Sequence, residues 1–302
     1  MREGFKMKVV HIYYQNISAK VDDLSLILGY FDGVHLGHQH LIKEARKHAK
    51  HPLAILTFDQ PVSALINNGK NSDLLTSLDD RFKIISKMGI DYYYLFHIDR
   101  DFLSLSDTDF IELLRKLNVR EVFVGEDYRF GKNRVGNVNT LKDYFEVNVI
   151  DLLKENGEKI SSQEIKVLLE KGMVEEANKL LGHNYQINGT FISGKGIGRM
   201  IGFPTLNVKM NVNYSLPRYG VYKTIAYLDG IPHLSITNVG VNPTVDAGDI
   251  PSIEVHVKDY EEKNYSTIAV EFVEFVRPEI KFDNLDELKK QIDSDVKKVF
   301  KI

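Results

Sequence analysis

Up to about Ile150 the sequence alternates short apolar runs with helical patterns, and beyond Gly182 apolar and polar residues alternate singly. The early runs are LSLIL, LAILTF, YYYLF and EVFVG, and the helical segments include HLIKEARKHA, DRFKIISKM and DFIELLRKL. Strand and helix in succession predict a parallel sheet with crossover helices. The later segments YQINGTFIS, GVYKTIAYL, SIEVHV and TIAVEFVEF have period two and turn residues between them, which predicts an antiparallel sheet or barrel. Between the two patterns a helix is expected from about Ser161 to Leu181, with Ile165, Leu168, Leu169 and Leu181 on or near one face and Gly182 placed to end it. The chain closes on NLDELKKQIDSDVKKVF, where Leu285, Leu288, Ile292, Val296 and Val299 form a stripe suited to packing on the barrel. The expected domains are residues 1–182 and 183–302.

With 302 residues, 43% of them apolar, the chain can build two ordinary cores. A formal net charge of −3 gives no basic footprint, so no nucleic-acid partner is expected. The absence of cysteine excludes disulfides, thiolate nucleophiles and cysteine-bound zinc, and fits a reducing compartment. MREGFKMKVVHIYY lacks the apolar core of a signal peptide, and no run approaches membrane-spanning length. The expectation is a soluble cytoplasmic protein with no membrane partner. The sequence does not give its oligomeric state.

The stretch LGYFDGVHLGHQHLIKEA holds the first candidate chemistry. A buried strand ends at Leu28, Gly29 to Val34 turn, and a helix begins near Leu36. Its unpaired N–H groups and positive dipole end lie beside His35 and His38, a setting that attracts phosphate. Gly37 lets a ligand approach the first turn, and two imidazoles can donate hydrogen bonds to a phosphoryl group as charge builds. His-x-x-His could instead bind zinc, although there is no HExxH helix and no marked third ligand. Surface histidines without a role and a dinucleotide fold, for which GxGxxG is missing here, are the other readings.

The longer string GYFDGVHLGHQHLI matches a nucleotidyltransferase signature of the HxGH type. Further blocks are VGEDYRFGKNRVGN (124–137), GEKISS (157–162), GIGRMIGFPTLNV (196–208), NVGVNPTV (238–245) and IEVHVKDY (253–260). Together they resemble, in order, the prokaryotic bifunctional riboflavin kinase/FMN adenylyltransferase family. That resemblance implies a Rossmann-like α/β nucleotidyltransferase domain of the HxGH type, then an antiparallel β-barrel riboflavin kinase domain with a C-terminal helix. The implied activities are phosphorylation of riboflavin to FMN and adenylylation of FMN to FAD. ATP is the implied co-substrate and Mg2+ the implied cofactor.

In the first half the resemblance assigns His35 and His38 to the ATP phosphates as catalytic residues, with Asp32 and Gly33 shaping the turn and Gly33 and Gly37 at the nucleotide. Asp127, Arg129 and Phe130 are implied at the nucleotide and flavin pocket. Two segments depart from the family pattern. FDQPV, from Phe58, lacks the histidine of FDPHP or FEPHP. SSQEIK replaces SSTxIR, so Lys166 stands where arginine grips phosphate with a planar fork. Ser161-x-x-Glu164 also reads as a helix capping box, and both readings stay open.

In the second half GKGIGRMIGFPTLNV resembles the ATP loop of riboflavin kinase, which puts Gly196, Gly198 and Arg199 near the phosphates. Thr205 and Asn207, two apart on an extended segment, can both offer oxygen to one magnesium ion. Glu254 is implied as the base that deprotonates the riboflavin 5′-hydroxyl. By itself a strand carboxylate reads as a solvated face. Asn238, Gly240, Pro243 and Thr244 are expected in a flanking turn, and Arg277 and Phe282 in a tail segment that covers the flavin. Two alternatives remain at this stage. One is a riboflavin kinase with a weakened adenylyltransferase half, and the other is a non-catalytic flavin-responsive binding protein.

Overall fold

The computed structural model describes residues 7–18, 21–67, 73–155, 157–192, 202–244, 248–258, 260 and 265–301, with backbone alone for 242–244 and 248–250. The chain divides into two compact units, Met1–Ser161 and Ser162–Ile302.

The first unit is a parallel sheet of β1 (Lys8–Tyr13), β2 (Leu24–Leu28), β3 (Leu53–Phe58), β4 (Tyr92–His97), β5 (Val119–Gly125) and β6 (Glu146–Ile150), in the order β1-β4-β3-β2-β5-β6. Its helices are α1 (Leu36–His48), α2 (Val62–Ile66), α3 (Leu78–Ser86), α4 (Asp107–Lys116) and α5 (Val138–Lys142). β2 is buried along its whole length, as a central parallel strand covered on both faces must be. Its side chains alternate between two cores. Leu24, Leu26 and Leu28 join Phe110, Leu113 and Leu114 of α4, whereas Ile27 joins Ile42 and Ala45 of α1 and Ile85 of α3. Ser77 and Ser106 start α3 and α4 with reciprocal capping boxes to Asp80 and Asp109. β1 and β6 carry no clear apolar run because they are the sheet's edges and stay partly exposed.

The second unit begins with α6 (Ser162–Glu170) and α7 (Val174–Leu181). One continuous helix was expected here. Gly172, at φ +79, breaks it by taking a left-handed conformation. Gly182 ends α7 at φ 73, in line with the sequence. The barrel follows: β7 (Tyr185–Ile192), β8 (Leu206–Met210), β9 (Gly220–Leu228), β10 (Ile231–Thr244), β11 (Gly248–Val257) and β12 (Ile268–Pro278) close antiparallel in the order β7-β8-β11-β10-β9-β12. α8 (Leu285–Phe300) completes it, capped by Asn284, whose side chain accepts from Glu287 N.

Asn178 of α7 ties the helix pair to the barrel. Its Nδ2 donates to the Phe272 carbonyl (2.9 Å) and its Oδ1 accepts from Tyr185 N (2.7 Å). Val174, Ala177, Leu180 and Leu181 are buried beneath it. The boundary expected at residue 182 therefore falls inside the second compact unit.

Candidate active sites

After β2 the chain turns sharply, with positive φ at Phe31 (61°), Gly33 (78°) and Val34 (41°). Asp32 fixes the turn from within. Its Oδ1 accepts from the backbone N–H of Leu75 (2.9 Å) and Thr76 (3.0 Å), while Gly33 N donates to Thr76 Oγ1 (2.9 Å). His35 is the N-cap of α1, and its Nδ1 accepts from His38 N at 3.4 Å. A ring that accepts at Nδ1 while neutral carries its proton on Nε2. The His35 and His38 rings stack with centroids 3.7 Å apart, and Phe31 lies 5.1 Å from His38. A Cβ at Gly37 would stand 3.1 Å from His35 Nδ1, so glycine leaves that ring its place.

Burial, with Lys159 adding to it, depresses the His35 pKa to about 4. Burial likewise holds His38 well below the ordinary imidazole value, helped by His35, Arg81 and Lys159. Both rings are therefore neutral at pH 7 and present one N–H donor each. His38 Nδ1 is buried without a hydrogen-bond partner. Among the described residues no group of three or more His, Cys, Asp or Glu could hold a metal, so the zinc reading gains nothing here.

The turn lies at a reversal of strand order. β3 lies on one side of β2 and β5 on the other, so the strand order reverses at β2. Open parallel sheets bind ligands at the carboxyl ends of strands at such a reversal. The segment after β5 contains Asp127, ion-paired with Lys159, and exposed Arg129, whose Nη1 donates to the Tyr128 carbonyl (3.0 Å). Phe130 departs from expectation. It is 6% exposed and packs 5.1 Å from Phe110 in the core, so it anchors the segment from beneath. The FDQPV segment places Asp59 against another imidazole: Asp59 Oδ2 meets His97 Nδ1 at 3.0 Å, and His97 Nε2 meets His11 Nδ1 at 2.8 Å. These histidines come from β4 and β1, and no local motif marks them.

The second site is built by register. Asn207 pairs with Glu254, Glu254 with Asn238, Asn238 with Val221 and Val221 with Arg277. Directly paired residues project from the same face of a sheet, so one row across five strands gathers Asn207, Glu254, Asn238 and Arg277. A cavity of about 290 Å³ opens over this row, lined by Thr205, Asn238, Glu254, Arg277 and Phe282. Its opposite wall is α8, through Leu288, Ile292 and Val296. The expected helical stripe thus roofs a cavity over part of its length, and Leu285 at its start is exposed. Arg277 is a strand residue whose Nε (2.9 Å) and Nη2 (2.8 Å) both donate to Asp295 Oδ2, joining barrel to helix.

Asn238, Gly240, Pro243 and Thr244, expected in a turn, belong to β10 and pair with β11 as far as Thr244 opposite Gly248. Asn, Gly and Pro are turn formers locally, and the barrel's pairing overrides that preference. A Cβ at Gly240 would lie 2.6 Å from Glu279 Oε1, the tip of an exposed side chain that can move aside. Lys166 lies on α6, half-buried, in the second unit. Gly196, Gly198 and Arg199 lie outside the described residues. The hard oxygen donors Thr205 and Asn207 suit a magnesium ion that arrives with substrate phosphates, which takes few protein ligands.

Comparison with known proteins agrees with this two-part construction. The FAD synthetase family matches residues 18–164 and the riboflavin kinase family residues 181–302. The bifunctional riboflavin kinase/FMN adenylyltransferase of Listeria monocytogenes is 36% identical over 301 residues, 96% of each chain. That of Bacillus subtilis is also 36% identical, again over 96% of each chain, and that of Escherichia coli K12 is 33% identical with the same coverage. A solved structure described as the macrolide-efflux protein of Streptococcus pneumoniae superposes with a TM-score of 0.86 at 28% identity, covering 96% of this chain and 97% of that one. Among the described residues no helix is long and apolar enough to cross a membrane. The chain belongs to the bifunctional riboflavin kinase/FMN adenylyltransferase family, and its function is FAD biosynthesis from riboflavin and ATP by way of FMN.

Proposed function

We propose that the parallel-sheet unit carries out adenylyl transfer and the barrel unit phosphorylation, each with its own site. The observation that carries this reading is the paired Glu254 and Asn238 on a cavity walled by α8, with Asn207 next to Glu254 in register, together with a separate histidine turn at the strand-order reversal.

In the barrel, riboflavin occupies the cavity with its 5′-hydroxyl toward Glu254. The Glu254 carboxylate takes the hydroxyl proton as that oxygen bonds to the γ-phosphorus of ATP and the bond to ADP breaks. Thr205 and Asn207 would hold a magnesium ion, which when bound would neutralise phosphate charge. Arg277 and Phe282 border the flavin, and Gly196, Gly198 and Arg199 contact the ATP phosphates.

In the first unit, a phosphate oxygen of FMN attacks the α-phosphorus of ATP and pyrophosphate leaves. The N–H groups of neutral His35 and His38, with the first turn of α1 around Gly37, donate to the oxygens on which charge develops. Gly33 shapes the approach, and Asp127 and Arg129 border the nucleotide and flavin. Dependence on ATP supports a cytoplasmic setting. The test is incubation with riboflavin, ATP and magnesium followed by chromatographic separation of riboflavin, FMN and FAD. Glu254→Gln should block the first product, and His38→Ala only the second.

A further inference from the structure

Arg81, on the first turn of α3, is fully buried, with 0% exposure. Its Nη1 donates to the Tyr30 carbonyl (2.7 Å), Thr57 Oγ1 (2.9 Å) and the Phe58 carbonyl (3.2 Å). These acceptors lie at the ends of β2 and β3, so one guanidinium nitrogen ties those strand ends together at the root of the histidine turn. The guanidinium also lies over the Tyr30 ring, 4.4 Å from its centroid. Nε and Nη2 are buried and have no hydrogen-bond partner, and the guanidinium makes no direct ion pair with a described carboxylate, although Asp32 and Asp59 lie near enough to act on the same Tyr30 hydroxyl.

Buried cations are costly to leave unpaired, and proteins ordinarily supply a carboxylate for them. A fold can bear such an unneutralised charge where a bound anion completes the balance. The anion available here is the polyphosphate of ATP. Arginine differs from lysine in being charged in proteins as a rule.

We propose that Arg81 is a positioning residue for adenylyl transfer: it fixes the Tyr30 carbonyl below the histidine turn and supplies permanent positive charge beneath the polyphosphate of ATP. The proposal rests on assigning that turn to adenylyl transfer. Its influence on His38 has the sign expected of a nearby cation, since Arg81 is among the groups that hold that imidazole neutral.

Two variants of the full-length protein separate charge from shape. Arg81→Gln keeps a donor for the Tyr30 carbonyl and removes the charge, whereas Arg81→Lys keeps the charge and loses the planar fork. For FAD formation from FMN, Arg81→Gln should raise the KM for ATP about tenfold or more, and the pyrophosphate concentration for half-inhibition should rise in parallel. Arg81→Lys should stay within about threefold of wild type on both. Riboflavin phosphorylation should not change in either. Equal KM values for ATP in Arg81→Gln and wild type, or equal impairment by Gln and Lys, would overturn the proposal. If Arg81→Gln is recovered unfolded, Arg81→Lys decides: a near-normal ATP KM and pyrophosphate inhibition support the charge, and a tenfold rise in both contradicts it. The underlying assignment is checked separately, because wild type must make FAD and His38→Ala must not.

Discussion

His35 caps the helix that carries His38: its Nδ1 accepts the His38 backbone N–H, and the two rings stack 3.7 Å apart. The cap requires a neutral imidazole. With its pKa depressed to about 4 in the fold against 6.5 when free, His35 contributes stability that is fully present above pH 6.5 and is lost as pH falls toward 4. Burial is the main cause, and the shift corresponds to roughly 3 kcal/mol over that window. His35→Asn retains a side chain suited to N-capping and removes the titration. Its denaturation midpoint should therefore fall less than that of wild type between pH 6.5 and 4, as followed by circular dichroism. An unchanged pH slope would show that His35 is not the group responsible.

Gly37→Ala should separate stability from activity. Alanine is favoured over glycine in a helix by about 1 kcal/mol. Its Cβ would nevertheless stand 3.1 Å from His35 Nδ1, so the ring must shift by a few tenths of an ångström. We expect unchanged or slightly raised thermal stability with FAD formation from FMN reduced about tenfold or more, the scale of a misplaced catalytic group. Wild-type turnover in this variant would mean that the ring position is not critical.

Much of this was readable in the sequence where one local pattern decided the outcome. LSLIL is a strand buried on both faces, and His35, Gly37 and His38 announce the helix-start site because their spacing is short. What the sequence concealed depends on contacts made at long range. Asp32 meets the backbone of Leu75 and Thr76, and Arg81 reaches Tyr30 and Thr57, with nothing local to mark either pairing. Asn238 looked like a turn residue, because only the register with Glu254 puts it in a strand. Phe130 carries the expected motif, but the fold turns its ring into the core.

The Arg277–Asp295 pair is shielded from water, with side chains 16% and 7% exposed. Asp295→Ala leaves the guanidinium without its counter-charge and removes one tie between α8 and the barrel. Breaking a buried pair in this way costs about 3–5 kcal/mol. Urea unfolding of the second unit should shift accordingly, with a raised KM for riboflavin because α8 forms one wall of the cavity. A midpoint shift within error of wild type would contradict a structural role for the pair.

The helices before the barrel should matter for its folding. A fragment of residues 162–302 keeps Asn178 and the buried face of α7, whereas residues 183–302 lose both. The longer fragment should be folded and phosphorylate riboflavin without making FAD, and the shorter one should be markedly less stable in thermal melts. Equal melting temperatures would place the working boundary near residue 182 after all.

Chromatographic product analysis of three full-length proteins supplied with ATP and magnesium tests the two-site account most directly. From riboflavin, wild type should form FMN and then FAD, His38→Ala should accumulate FMN, and Glu254→Gln should slow FMN formation by about 10² or more. From FMN, Glu254→Gln should make FAD at the wild-type rate. Near-normal FMN formation by Glu254→Gln, or FAD formation by His38→Ala, would contradict the account.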